Sequence, residues 1–224
     1  MCILLLLALN LFAVLPAGKA QEAAPVSDTG HTISYFKRRF PEKKGQLQFI
    51  LGFPWINQYY LQPLKEPTGN HFGYWGYCGG FEYFYRPNRS LSATISYITN
   101  APSFFIGALH TDGVHEVVGA TVLTLSNNVQ FNRWSFGGGI QYTGNNWIRH
   151  YGGFYDTGYV VPSVYRNDHI LGLTGSVQYQ LGKAFFAGII YRPGFRRIGP
   201  EPGFLYQHSI SLDFSMKLGL RNKL

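Results

Sequence analysis

The sequence predicts an all-β fold, an eight-stranded antiparallel up-and-down transmembrane β-barrel, and three observations carry the prediction. Apolar and polar residues alternate with the two-residue period of a strand in segment after segment from Gln46 onward. The connections between these segments alternate in length: long over 54–71, 99–116, 144–168 and 193–205, short over 86–90, 127–132 and 181–183. Charged residues make up only 13% of the chain while aromatics reach 17%, with 27 glycines; the charged share is about half that of an ordinary soluble domain. An even number of strands of roughly ten residues, with long loops at one end and tight turns at the other, is how a closed sheet crosses a membrane.

The first 20 residues are almost continuously apolar and end in Gly18-Lys19-Ala20, small residues that suit signal-peptide cleavage after Ala20. A retained helix is the alternative, because about 17 apolar residues reach the lower edge of spanning length. Cleavage removes Cys2 and leaves Cys78 with no intrachain partner. Residues 21–45 are polar and basic, with Pro25, Pro41 and little periodicity, and read as a flexible periplasmic segment. The barrel takes 46–224.

Strand one covers 46–53, where Leu47, Phe49, Leu51 and Phe53 share a face and Pro54 ends the strand or confines it to an edge. Strands two and three are the two arms of Phe72 to Ile98. Trp75, Tyr77, Phe81, Tyr83 and Tyr85 oppose Gly76, Cys78, Gly80 and Glu82; across the turn Arg86 to Ser90, Leu91, Ala93, Ile95 and Tyr97 oppose Ser92, Thr94 and Ser96. Strand four, about 117–126, has Val117, Val118, Val122 and Leu123 on both faces, so its phase stays open. Strand five (133–143), strand six (169–181) and strand seven, from Phe185 to Tyr191, repeat the two-faced pattern. Strand eight, 206–220, is the cleanest, with Tyr206, His208, Ile210, Leu212, Phe214, Met216 and Leu218 against Gln207, Ser209, Ser211, Asp213, Ser215 and Lys217.

Alternation alone does not say which face is outside. A soluble lipocalin-like barrel has the same strand count with its apolar face inward, and would show many Lys and Glu on the other face. Here the other face is Gly, Ser, Thr and Gln, which suit the narrow interior of eight strands. The aromatic face therefore meets lipid. That assignment puts Glu82, Arg192, Asp213 and Lys217 in the lumen, where two acids and two bases must pair because an unpaired buried charge is costly. Glu82 is expected to pair with Arg192 or Lys217. A lysine on the lipid side, at Ile210, should act differently from one in the lumen, at Ser211.

The signal-like start, the alternating strands, the loop asymmetry and the terminal strand SISLDFSMKLGL together resemble the small eight-stranded outer-membrane β-barrel family of Gram-negative envelopes, over about Gln46 to Leu224. The resemblance implies a bacterial outer-membrane location with outer-membrane lipid as the surroundings. It leaves activity open, since adhesins, structural anchors and lipid-modifying enzymes share the architecture. The expected function is structural, adhesive or partner-binding, without catalysis. An envelope protein or external ligand would meet the long loops, above all 144–168 with Trp147, Tyr151, Phe154, Tyr155 and Tyr159. A lipid A deacylase-type enzyme and a soluble lipid-binding barrel are the alternatives. The adjacent His208 and Ser209 do not favour the enzyme, because neighbours on a strand point to opposite faces.

The remaining motifs are ordinary. His110 to Glu116 places two imidazoles and two carboxylates in a loop, yet the residue four after His115 is Gly119, so the helical zinc-protease spacing is missing. No metal and no cofactor is expected. The net charge of +8 is spread along the chain without a recognition module, which argues against nucleic acid.

Overall fold

The computed structural model describes residues 44–100, 114–151, 162–199 and 201–220. They form nine strands: β1 (Leu47–Leu61), β2 (Gly69–Gly73), β3 (Trp75–Arg86), β4 (Arg89–Thr99), β5 (Val114–Phe131), β6 (Trp134–Tyr151), β7 (Val164–Gln180), β8 (Phe185–Arg197) and β9 (Gly203–Leu220). Each neighbouring pair is antiparallel, and β1 pairs with β9 from Leu47↔Leu220 to Tyr60↔His208, which closes the ring. β2 and β3 both lie along β1, opposite Asn57–Leu61 and Leu47–Gly52 respectively. They are two lengths of one stave interrupted at Tyr74, so the ring has the eight staves expected.

Tight links join the strands at one end, 87–88, 132–133 and 181–184, and Asn132 turns with φ of 53°, a left-handed conformation that asparagine tolerates. The other end carries 62–68, 100–113, 152–163 and 198–202. The asymmetry is as expected, but the strands run further into the long connections. Pro54 does not end β1. It faces the lumen at a register shift between Pro54 and Ile56, a bulge where a residue without an N–H costs no ladder bond. β6 runs through Gly144-Asn145-Asn146, a composition that suggests a turn, because β7 offers partners as far as Arg149↔Val164. Beyond β4, Asn100 imitates one more ladder residue: its N–H donates to the Val118 carbonyl (3.0 Å) and its Oδ1 accepts from the Val118 N–H (2.6 Å).

The two faces separate cleanly. Tyr77, Phe81, Ile95, Leu125, Phe136, Ile140 and Ile189 stand exposed on the outer wall, with Ile140 at 60%. Phe131, Trp134 and Phe185 mark the tight-turn end of this belt, and Tyr97, Tyr142, Tyr191 and Tyr206 mark the other. Inside lie Ser92, Ser96, Ser126, Thr174, Ser211 and Ser215. Some lumen positions admit no side chain at all: a Cβ on Gly139 would sit 2.0 Å from the Leu125 carbonyl oxygen. β5 resolves in phase, with Val118, Ala120 and Val122 inward and Leu123 and Leu125 outward.

The inward valines join Tyr59, Leu61, Ile98 and Trp147 in an apolar cluster inside the barrel. Trp147 was expected in a loop; it is a β6 residue only 3% exposed. Its indole N–H donates to Glu116 Oε2 (3.2 Å), which satisfies its one polar group. Trp147→Ala should therefore lower stability by about 3–5 kcal/mol in a urea titration of the detergent-folded protein.

Candidate functional site

Among the described residues the lumen concentrates charge away from water, and it is built in tiers. Nearest the tight turns, Glu82 is fully buried and meets the Lys217 ammonium at 2.8 Å. Its other oxygen accepts from Ser90 Oγ and from Asn128 Nδ2 (3.2 Å). Asn128 also donates to Ser92 (3.0 Å), and Ser92 bonds Ser126 (2.8 Å). Lys217 lies 4.7 Å above the Phe186 ring, so the cation has an aromatic face as well as a carboxylate. Of the two cations expected for Glu82, the structure places Lys217 against it.

The next tier holds Arg192 and Asp213, both 3% exposed. Arg192 donates to Ser211 Oγ (2.8 Å), and Gln178 reaches Asp213 at 3.5 Å. Between this tier and the apolar cluster is a cavity of about 20 Å³ of water-accessible space, bounded among others by Tyr59, Gln141, Asn145, Arg192 and Gln207. It has room for about one water.

A third tier lies beyond the tyrosines, at the long-loop end. Arg149 binds Glu116 Oε1 through Nη2 (2.7 Å) and Nε (3.0 Å), and its Nη1 reaches Glu66 at 3.2 Å. Arg166 holds the other Glu66 oxygen at 3.1 Å and the Leu64 carbonyl at 3.1 Å. Arg197 meets Asp168 at 3.0 Å and the Gln62 carbonyl at 2.7 Å. These bonds lace the 62–68 connection over the barrel mouth. His71 approaches Glu116 at 3.4 Å without hydrogen-bond alignment. The sequence drew notice to Glu116 only as part of the His110 to Glu116 stretch, and not to the rest of its network, Arg149, Glu66 and Arg166. Extending the odd-numbered inward series of β6, Gln141, Thr143, Asn145, through Trp147 to Arg149 would have found part of it.

Burial pushes the Glu116 carboxyl up, but hydrogen bonds from Arg149 and Trp147, with the nearby His71 and Arg149 charges, outweigh it and hold the group below the ordinary carboxylate range. Burial lowers His71, and Glu116 offsets this only in part. Both shifts have the same sign for stability. A depressed carboxyl contributes stability that is present above its unfolded pKa and lost as pH falls through the folded one, and a depressed imidazole makes protonation harder in the folded state. The mouth should loosen in acid: hydrogen-exchange protection of 115–118 and 148–150 is expected to fall from pH 7 to pH 4 relative to that of 48–52. Glu116→Gln should flatten the difference.

Of the proposed loop residues, Trp147 is in the lumen and Tyr151 is the half-buried last residue of β6. Phe154, Tyr155 and Tyr159 lie outside the described residues. In the His110 to Glu116 stretch, His115 and Glu116 are on β5 and point to opposite faces, while His110 and Asp112 lie outside the described residues.

No protein-family model matches the sequence, and no curated protein does. Among solved structures, Ail, the attachment invasion locus protein of Yersinia pestis, is similar with a TM-score of 0.51 at 11% identity, over 78% of this chain and 99% of Ail. The fold is that of a small outer-membrane β-barrel. Neisserial surface protein A (TM-score 0.43, 11% identity, 77% of this chain and 95% of that one) and OprG of Pseudomonas aeruginosa (0.37, 10%, 80% and 96%) are similar at lower scores. The outward apolar belt and the inward charges of this barrel have the polarity that a lipid-embedded wall requires.

Proposed function

We propose that this barrel is a non-catalytic outer-membrane scaffold, sealed along its axis, whose extracellular end engages an external ligand or another envelope component. The filled lumen carries the reading: the Glu82–Lys217 pair, the buried Arg192 and Asp213, an apolar cluster and a laced mouth succeed one another, and the cavity between them has room for about one water. A barrel built this way presents loops and does not conduct. Reconstituted in planar bilayers it should give no steady ion current, and a stable open conductance would overturn the scaffold reading. Replacing 152–161 by a short Gly-Ser linker should then abolish capture of its partner by whole cells while leaving heat-modifiable gel mobility intact.

One observation favours the enzyme alternative. His150 Nδ1 and Ser163 Oγ are 2.9 Å apart at the extracellular rim, a base and a hydroxyl in contact. His208 offers no such pair; it lies on the lipid side between Tyr60, Tyr191 and Tyr206, away from Ser209. Lipid A mass profiles from cells with the wild-type protein and with Ser163→Ala decide it. The scaffold reading expects identical profiles, whereas acyl loss that depends on Ser163 would establish a hydrolase.

A further inference from the structure

We propose that His115 and His150 form a binding site for a borderline-soft divalent cation, copper(II), nickel(II) or zinc(II), on the outer wall at the extracellular end of the barrel. The β5–β6 register sets the two residues directly opposite each other. Both have the parity of the outward face, since their neighbours Glu116 and Arg149 point into the mouth and are bonded to one another there. The imidazoles stack with centroids 4.9 Å apart and planes inclined by 27°.

That spacing suits a shared ion. A metal–nitrogen bond of about 2.0–2.1 Å puts each ring centroid roughly 3.2 Å from the metal. Two centroids 4.9 Å apart are closer than the roughly 6.4 Å that one ion can span, and rotation of the stacked rings about χ2 turns both Nε2 lone pairs onto it. Ser163 Oγ, 2.9 Å from His150 Nδ1, supplies the outer-shell partner that fixes a ligating histidine: with Nδ1–H donated to the hydroxyl, the Nε2 lone pair is left for the metal. Neutral imidazoles select copper, nickel or zinc over magnesium and calcium, which take oxygen ligands. Among the described residues no group of three or more His, Cys, Asp or Glu converges, so the two imidazoles are the ligands proposed. The bound ion would tie the outer ends of β5 and β6 together beside the mouth.

The test uses the full, tag-free chain folded in detergent micelles and titrated with nickel chloride and copper chloride in a calorimeter. One ion per barrel is expected. His115→Ala and His150→Ala should each weaken binding by about tenfold or more, and Ser163→Ala by about tenfold through loss of the orienting bond. Heat-modifiable mobility confirms that each variant is folded. Absence of binding by the wild-type barrel, or binding unchanged in the folded His115→Ala/His150→Ala double variant, would overturn the assignment.

Discussion

Lys217→Met is expected to destabilise the barrel by about 3–5 kcal/mol, because it strands the Glu82 carboxylate in the lumen. Glu82 is fully buried, and after the substitution only Ser90 and Asn128 remain to bond it. Glu82→Gln should cost a similar amount by leaving the Lys217 ammonium beside Phe186 without its counter-charge. The double variant Glu82→Gln/Lys217→Met should be more stable than either single one, since neutralising both partners removes the uncompensated charge. Urea unfolding in lipid vesicles measures all four proteins. If the two single losses simply add in the double variant, the pair is not a coupled unit and the lumen is hydrated enough to solvate each charge alone.

The second large effect is on the outer wall. Leu125→Lys places an ammonium in the middle of the lipid-facing belt and should cost about 2–4 kcal/mol. Ile210, the position that sequence suggests for this experiment, lies directly opposite Tyr191 and two residues from His208. It is near the outer tyrosines, where a lysine can reach the interface and its cost falls to about 0–1 kcal/mol. Ser126→Leu, one residue along from Leu125, should also destabilise, but by crowding: Ser126 bonds Ser92 inside the lumen, and overpacking there costs about 1–3 kcal/mol. The distinguishing readout is bilayer thickness. Only the Leu125→Lys loss should shrink in thin, short-chain lipid, which brings the interface closer to the lysine.

How much of this was legible in the sequence follows the membrane boundary. Within the belt, hydrophobicity alternates because one face meets hydrocarbon and the other a polar lumen, so strand number, faces and the inward placement of Glu82, Arg192, Asp213 and Lys217 could all be read from a two-residue period. Beyond the tyrosines the outer face meets water, both faces carry polar residues, and the period fades. Strands continue there on backbone pairing and on cross-strand ion pairs such as Glu116–Arg149, neither of which shows as a hydrophobic period, which is why β1, β5, β6 and β7 all outran their expected ends. The mouth network was hidden for a further reason: Glu66 meets Arg149 and Arg166, 83 and 100 residues away, and nothing local announces such a pairing. Trp147 misled because an aromatic among glycine and asparagine reads as a loop residue. In β6 those small residues belong to a strand and alternate between its faces, Asn145 in the lumen and Asn146 exposed outside.

The central claim is that the aromatic face meets lipid and the charged face is sealed inside. Methyl NMR of the barrel in nanodiscs containing a doxyl-labelled phospholipid tests it most directly. Signals of Ile95, Leu125, Ile140 and Ile189 should broaden strongly, while Ile98, Val118 and Val122, one wall-thickness away inside the lumen, should persist. Broadening of the second group with sparing of the first would contradict the account.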